Sequence, residues 1–350
     1  MKLKKLLVCE FITAGGLSDT APSDAPFSES LAIEGALMRD ALLRDLSELK
    51  QYQLISMHDE RLSPSVYTNK SITVAAGDFK KAFKKAIKQV DFVWLIAPET
   101  DGLLIELTEL CLVAEDKKNG SIFLGCGYDA TLIGTSKTLS FEALQDAGIN
   151  TLPVFAGEDL MLQACFDKLS QLHVKMWVAK PEDGAGCDGI RLFDSLSAAR
   201  HWLQQDEQYL RYLIQPFQAG IAASFSLICN DGKGWLLSCN QQHIQSDGSQ
   251  FKLTGITVNG MQSYWLRFET LARKIAKILP DALGYVGIDV IIDTEEDKIF
   301  VIDINPRVTS SYVGLREGIG HNPAKIILEC ILNPHFKFPV LHRSIVEIVL

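Results

Sequence analysis

Polar and apolar positions follow two rhythms along the chain. Through the first 125 positions, short runs rich in β-branched and aromatic residues alternate with longer stretches of 3.6-residue periodicity. Residues 3–9, 52–57, 92–97 and 121–125 read as buried strands, and residues 28–46, 78–89 and 103–116 as helices between them. Strand and helix in turn predict an α/β domain: a Rossmann-like parallel sheet with helices on both faces. Beyond it, Ser136 is a natural N-cap for a helix over 137–147, Gly148 suits its C-terminal end, and residues 151–155 are strand-like. Further strands are expected over 177–180, 190–193, 209–217, 222–229, 234–244 and 251–258, and a helix over 262–279. Asn322-Pro323 opens a last helix to 332, before a strand-like tail. No repeat, linker or low-complexity segment interrupts this order.

The most informative stretch is 284–312. Two apolar runs, 285–292 and 298–304, flank an acidic turn and predict an antiparallel hairpin, each strand carrying one acid amid apolar neighbours. Burying Asp289 and Asp303 is costly unless they are paired or hold a metal. Hard oxygen ligands suit Mg²⁺, with Mn²⁺ as the alternative, and Mg²⁺ commonly takes one or two carboxylates plus substrate phosphates. Asn305 lies two residues beyond Asp303, on the same strand face, and Arg307 continues that face with a fork that matches phosphate. A salt bridge from Arg307 to one acid explains buried charge but not the whole series of acid, amide and guanidinium.

Composition narrows the classes of function. The chain has 350 residues, 47% of them hydrophobic, and a formal net charge of −9. It is long enough for one large core or two to three modest ones. Without basic clusters it lacks the lysine and arginine contacts that sequence-independent nucleic-acid binding needs. The eight cysteines form no C-x-x-C pair and no zinc spacing with histidine, so they read as reduced, mostly buried thiols of a cytoplasmic protein. The start MKLKKLLVCEFI imitates a signal peptide, but Glu10 breaks the apolar run; no stretch approaches the roughly 20 apolar residues of a membrane span.

Ligands of open α/β sheets sit beyond the carboxyl ends of strands. The loops there carry Glu10 and Thr13 after the first strand and Glu99 after the third, which serve substrate binding or ordinary turn chemistry equally well. Ser30 and Glu34 lie one helical turn apart and read as a solvated face. Lys137 falls in the first turn of its helix, against the dipole, a position that asks for an anion nearby. Lys180 precedes a G-x-G-x-x-G loop at Gly184, Gly186 and Gly189. The loop leads into a strand rather than a helix, which excludes a dinucleotide fingerprint, and its lysine precedes rather than follows it, with no H-R-D or D-F-G, which excludes a kinase. A glycine-rich turn between two strands suits a triphosphate. Gln215, Pro216 and Phe217 end a strand, and Asn240, Gln241 and His243 form a polar run expected where a strand emerges at a cleft or reaches solvent. Thr309, Ser310 and Ser311 offer hydroxyls to a substrate or to the local backbone.

Taken in order, Lys137, Lys180, the glycine loop, the strand end at 215–217 and Asp289 with Asp303-x-Asn305-x-Arg307 resemble the ATP-grasp superfamily of carboxylate–amine ligases. The family more often has Glu at the positions of Asp303 and Gln215. The resemblance implies an ATP-grasp fold: an N-terminal pre-ATP-grasp domain over 1–125, a central part over 126–215 and a C-terminal part with the metal site over 216–350. It implies ATP bound by Lys137, Lys180, Gly184, Gly186, Gln215, Pro216 and Phe217, metal on Asp289, Asp303 and Asn305, and catalysis by Lys180 and Arg307. The stretches EFITAGG, APE, KPEDGAG and INPRVTSSYVGLR are further similar to the tyramine–glutamate ligase family of methanofuran and methylofuran biosynthesis. That likeness implies an acyl phosphate of glutamate captured by tyramine or tyrosine, with Glu10, Thr13, Glu99, Thr309, Ser310 and Ser311 as substrate contacts. Ligation of another amino acid and amine, including polyglutamylation, is the alternative, and a non-catalytic nucleotide-binding regulator is disfavoured by the intact metal set. The expected partners are small molecules, with no nucleic acid and no membrane; whether the chain forms a homodimer is open.

Overall fold

The computed structural model describes residues 3–20, 29–183 and 189–350. The alternating N-terminal segment forms a parallel sheet of β1 (Lys4–Glu10), β2 (Tyr52–Asp59), β3 (Lys70–Val74), β4 (Phe92–Ile96) and β5 (Ile122–Phe123), in the order β3-β2-β1-β4-β5. Side chains of successive strand residues go to opposite faces, and the two faces meet different helices. Leu6 and Val8 with Phe92 and Trp94 pack on the helix Glu29–Ser47; Leu7 and Cys9 with Val93 and Leu95 pack on Phe79, Phe83 and Leu107 of the helices Phe79–Ala86 and Leu103–Glu115. Burial on both faces explains the continuous apolar runs. The edge strand β3 is not predicted, because only Val74 of its five residues is buried and no apolar run announces it.

A small antiparallel sheet follows: β6 (Phe155–Ala156), β7 (Trp177–Pro181), β8 (Arg191–Phe193) and β9 (Tyr212–Pro216), in the order β6-β9-β7-β8. Its core is its own, with Trp177, Ala179 and Ile214 packed on Leu160, Leu196 and Leu203. The strand expected over 151–155 contracts to one bridge, Thr151 to Val301, and the two residues of β6. Pro153 lies between them and cannot donate to a ladder. Residues Gln205–Leu210 form a 3₁₀ segment, with Asp206 and Glu207 at positive φ, so β9 starts later than the predicted 209.

The third sheet is antiparallel: β10 (Ile221–Asn230), β11 (Lys233–Ser246), β12 (Phe251–Val258), β13 (Gly284–Asp293), β14 (Lys298–Asn305) and β15 (Val346–Val349), in the order β14-β13-β10-β11-β12-β15. One face carries Phe225, Val286 and Ile288 against the helix Trp265–Ile278, where the Phe225 and Phe268 rings stack at 5.0 Å. The other face carries Ile228, Leu237 and Tyr285 into the same core as Leu6, Val8 and the helix Glu29–Ser47. The helix Pro323–Leu332 joins that core; its N-cap Asn322 accepts from the Lys325 N–H at 3.0 Å, a contact worth about 1 kcal/mol. The described cysteines carry free thiols, and among the described residues no helix is long and apolar enough to cross a membrane.

Candidate active site

The hairpin of β13 and β14 sets the two acids directly opposite one another, Asp289 against Asp303, with Asn305 opposite Gly287. Such cross-strand neighbours have Cβ atoms only about 5 Å apart, so their charges repel. Asp289 accepts from Asn305 Nδ2 at 3.1 Å and from Gln242 Nε2 of β11 at 2.8 Å. Burial and then the charge of Asp303 push its carboxyl up to about 7, while Asn305, Gln242 and Arg307 pull the other way. Two mutually repelling carboxylates are a donor set that a cation would relieve. Among the described residues no group of three His, Cys, Asp or Glu side chains forms a metal cage, so a cation here would complete its sphere with amide, phosphate or water oxygens. Mg²⁺ fits that donor set.

Asp289 and Asp303 line a cavity of about 350 Å³ between the small sheet and the large one. Lys180, at the end of β7, reaches it with 5% of its surface exposed; burial pulls its amine down to about 8, partly countered by Asp303 and reinforced by Lys137. Lys137 also lines the cavity, and its Nζ donates to the Glu182 carbonyl at 3.3 Å. The anion that this helix start asks for is the Glu182 carboxylate, which accepts from Ser136 Oγ at 2.7 Å and from the N–H and hydroxyl of Thr138, both at 3.2 Å. Gln215, Pro216 and Phe217 line the far end with Phe251, whose ring lies nearly parallel to that of Phe217. The Gln215 side chain donates to the Leu152 carbonyl at 3.1 Å, and the Phe217 N–H to the Met176 carbonyl at 2.9 Å. Gly184 and Gly186 lie outside the described residues. Gly189 has φ +71°, and a Cβ there would come within 2.9 Å of the Tyr212 hydroxyl, so this end of the loop requires glycine.

A second cavity, of about 360 Å³, opens between the first sheet and the hairpin. It shares Gln242, Leu253 and Asp289 with the first, so the two meet at Asp289. Asn305, Arg307, Thr309, Ser310 and Ser311 line it from one side and Glu10 and Glu34 from the other. The Thr309 and Ser311 hydroxyls and those of Tyr285 and Ser226 form one network with separations of 2.7 to 3.1 Å, while Ser310 donates to Glu34.

Residues 135–311 match the family described as ATP-grasp domain, and residues 52–131 the pre ATP-grasp 3 domain. The chain belongs to the ATP-grasp family. A protein named tyramine–L-glutamate ligase, from Methanocaldococcus jannaschii, is 27% identical over 348 residues, covering 97% of this chain and 93% of that one. Biotin carboxylase from Campylobacter jejuni superposes with a TM-score of 0.71 at 14% identity over 98% of this chain and 74% of that one. L-amino acid ligase from Bacillus licheniformis does so with a TM-score of 0.66 at 13% identity, over 95% and 75%.

In this ATP-grasp protein several of the expected site residues sit away from the cavities or are held by other side chains. Glu99 does not line the second cavity: it is buried and forms a bidentate pair with Arg307, Nε to Oε1 at 2.8 Å and Nη2 to Oε2 at 2.7 Å. Arg307 lines the second cavity and not the first, with two arms of its fork already given to Glu99. Thr13 is fully buried, its N–H donating to Glu10, so it lies behind the cavity wall. Asn240 is buried against Ser224 and Asn259, and His243 bonds Thr257 outside the cleft. Gln242, of the opposite parity to Gln241 and His243, is the residue of β11 that bonds the acid Asp289. Glu34, read as solvated, lines the second cavity, because the helix Glu29–Ser47 lies against the segment after Arg307.

Proposed function

We propose that this ATP-grasp ligase joins the γ-carboxylate of glutamate to the amine of tyramine, using ATP through an acyl phosphate. The observation that carries the reading is that a nucleotide-sized cavity and a second, separate cavity meet at Asp289 and Gln242. Such a junction suits a reaction in which a phosphoryl group passes to a carboxylate and a second molecule then captures the product. The tyramine–L-glutamate ligase name of the Methanocaldococcus jannaschii relative supports the choice of substrates.

In this mechanism a glutamate oxygen attacks the γ-phosphorus and ADP leaves. The amine nitrogen then attacks the acyl carbon, releasing phosphate and one proton. Little covalent chemistry falls to the protein, whose work is positioning and charge neutralisation. Lys137 and Lys180 face the phosphate region with two cations in a confined, low-dielectric site, where electrostatic stabilisation is strongest. The polyanion raises the depressed amine of Lys180, so it acts charged. Asp289, Asp303 and Asn305 would hold Mg²⁺, which when bound supplies charge neutralisation to the phosphate oxygens. The test is phosphate release from ATP and Mg²⁺ with glutamate constant and amines varied, products weighed by mass spectrometry. Release that depends on both glutamate and tyramine, with a product of their joint mass less water, is expected. Release independent of any amine, or ligation only of other pairs, refutes the substrate assignment.

A further inference from the structure

The second cavity is both apolar and acidic where it meets the helix Glu29–Ser47. Leu31, Glu34, Gly35 and Met38 recur at three- and four-residue spacing, so one stripe of that helix forms the wall. Gly35 permits the close approach: a Cβ there would lie 2.5 Å from a carboxylate oxygen of Glu10. Among the described lining residues, Glu10, Glu34 and Asp101 add negative charge near the first sheet, and the one cation, Arg307, is already paired with Glu99. The wall therefore favours a ligand with a positive head and an apolar body.

The two buried-side acids differ in what holds them. Glu10 accepts from the N–H groups of Ile12 and Thr13 at 3.1 and 2.7 Å, which ties it to its own turn. Glu34 is half-buried, and one of its oxygens accepts from the Ser310 hydroxyl across the cavity wall. We propose that Glu34, oriented by Ser310, binds the ammonium group of the amine co-substrate, while Leu31, Met38 and Leu103 receive its apolar body. The ligand class is a primary amine carrying an aryl or alkyl group. Glutamate also has an ammonium, but it would bring two carboxylates into a cavity already lined by four, Glu10, Glu34, Asp101 and Asp289. The inference rests on the amide-ligase reading for its ligand and adds the residues that select it.

The test is calorimetric titration of tyramine, of 4-ethylphenol (the same body without the ammonium) and of glutamate into the wild-type protein, Glu34→Gln and Glu34→Asp. Each is run with a non-hydrolysable ATP analogue, and thermal melts verify folding. Glu34→Gln is expected to weaken tyramine by about 10- to 100-fold, the loss of one charged hydrogen-bond partner. 4-Ethylphenol and glutamate should change far less; Glu34→Asp, one methylene short, should also weaken tyramine and serves if Glu34→Gln does not fold. Unchanged tyramine affinity, an equal loss for glutamate, or no tyramine binding by the wild type overturns the proposal. Tyramine binding without amide formation refutes the reaction and leaves the site standing. Amide formation with unaltered tyramine affinity in Glu34→Gln does the reverse.

Discussion

Removing Glu99 tests how the first sheet is fastened to the hairpin of β13 and β14. Its carboxylate and the Arg307 guanidinium keep 4% and 11% of their side-chain surface exposed and make two parallel bonds of 2.7 and 2.8 Å. A solvent-exposed pair is worth about 0–1 kcal/mol, whereas removing one partner of a buried pair costs about 3–5 kcal/mol, because the remaining charge is left without compensation. The burial here puts Glu99→Ala in the second range. What remains for Arg307 is a contact from Nη1 to the Val308 carbonyl at 3.2 Å. Arg307→Met leaves the buried Glu99 in the same state, so the two losses overlap, and the double variant should recover about 2–3 kcal/mol of coupling relative to the sum of the singles. The assay is urea denaturation followed by circular dichroism and by tryptophan fluorescence, used where the two transitions coincide. A cost of Glu99→Ala below about 1 kcal/mol, with no coupling, would refute the reasoning, since a buried pair cannot be so cheaply broken.

Asp303→Asn should lower turnover by at least about 100-fold, the scale of losing one preorganised electrostatic contact, with an unchanged circular-dichroism spectrum; wild-type activity in that variant removes Asp303 from the metal site. Lys180→Ala should weaken ATP binding by about 10- to 100-fold in calorimetry. Because the amine sits at about 8 in the free protein, it is charged below that pH and neutral above it, so ATP binding near pH 8.5 should take up a proton in the wild type and not in the variant. Asp289, at about 7, is protonated below that value and a ligand above it, so Mg²⁺ affinity should rise about tenfold from pH 6 to pH 8; a flat profile between those pH values contradicts the ligand assignment.

The acid pair was legible because a carboxylate in an apolar strand breaks the pattern and needs a reason. The parallel sheet was legible because burial on both faces leaves continuous apolar runs. What escaped was relational. Gln242 and Gln241 have the same local chemistry, and only the pairing of β11 with β10 decides which parity faces the acids. Glu34 looks solvated on its own helix until residues nearly three hundred positions away supply the opposite wall. Glu182 brings its carboxylate to Ser136 and Thr138 at the start of the Lys137 helix, but from a different segment. The loop at Glu99 suits a substrate and a turn equally, since nothing in it announces that Arg307 will claim the carboxylate.

The distribution of cores divides the two cavities mechanically. The first and third sheets share one packed interior, with Leu6, Val8, Leu237 and Tyr285 in a single cluster, so sliding one against the other would open close-packed apolar contacts. The small sheet packs its apolar side chains in a core of its own, apart from that interior. Lys180 and Gln215 to Phe217 ride on the small sheet, whereas every described residue of the second cavity belongs to the fused pair. The first cavity thus has a wall built on a separately packed core and the second has none: a tilt of the small sheet would change the width of the first and leave the second as it is.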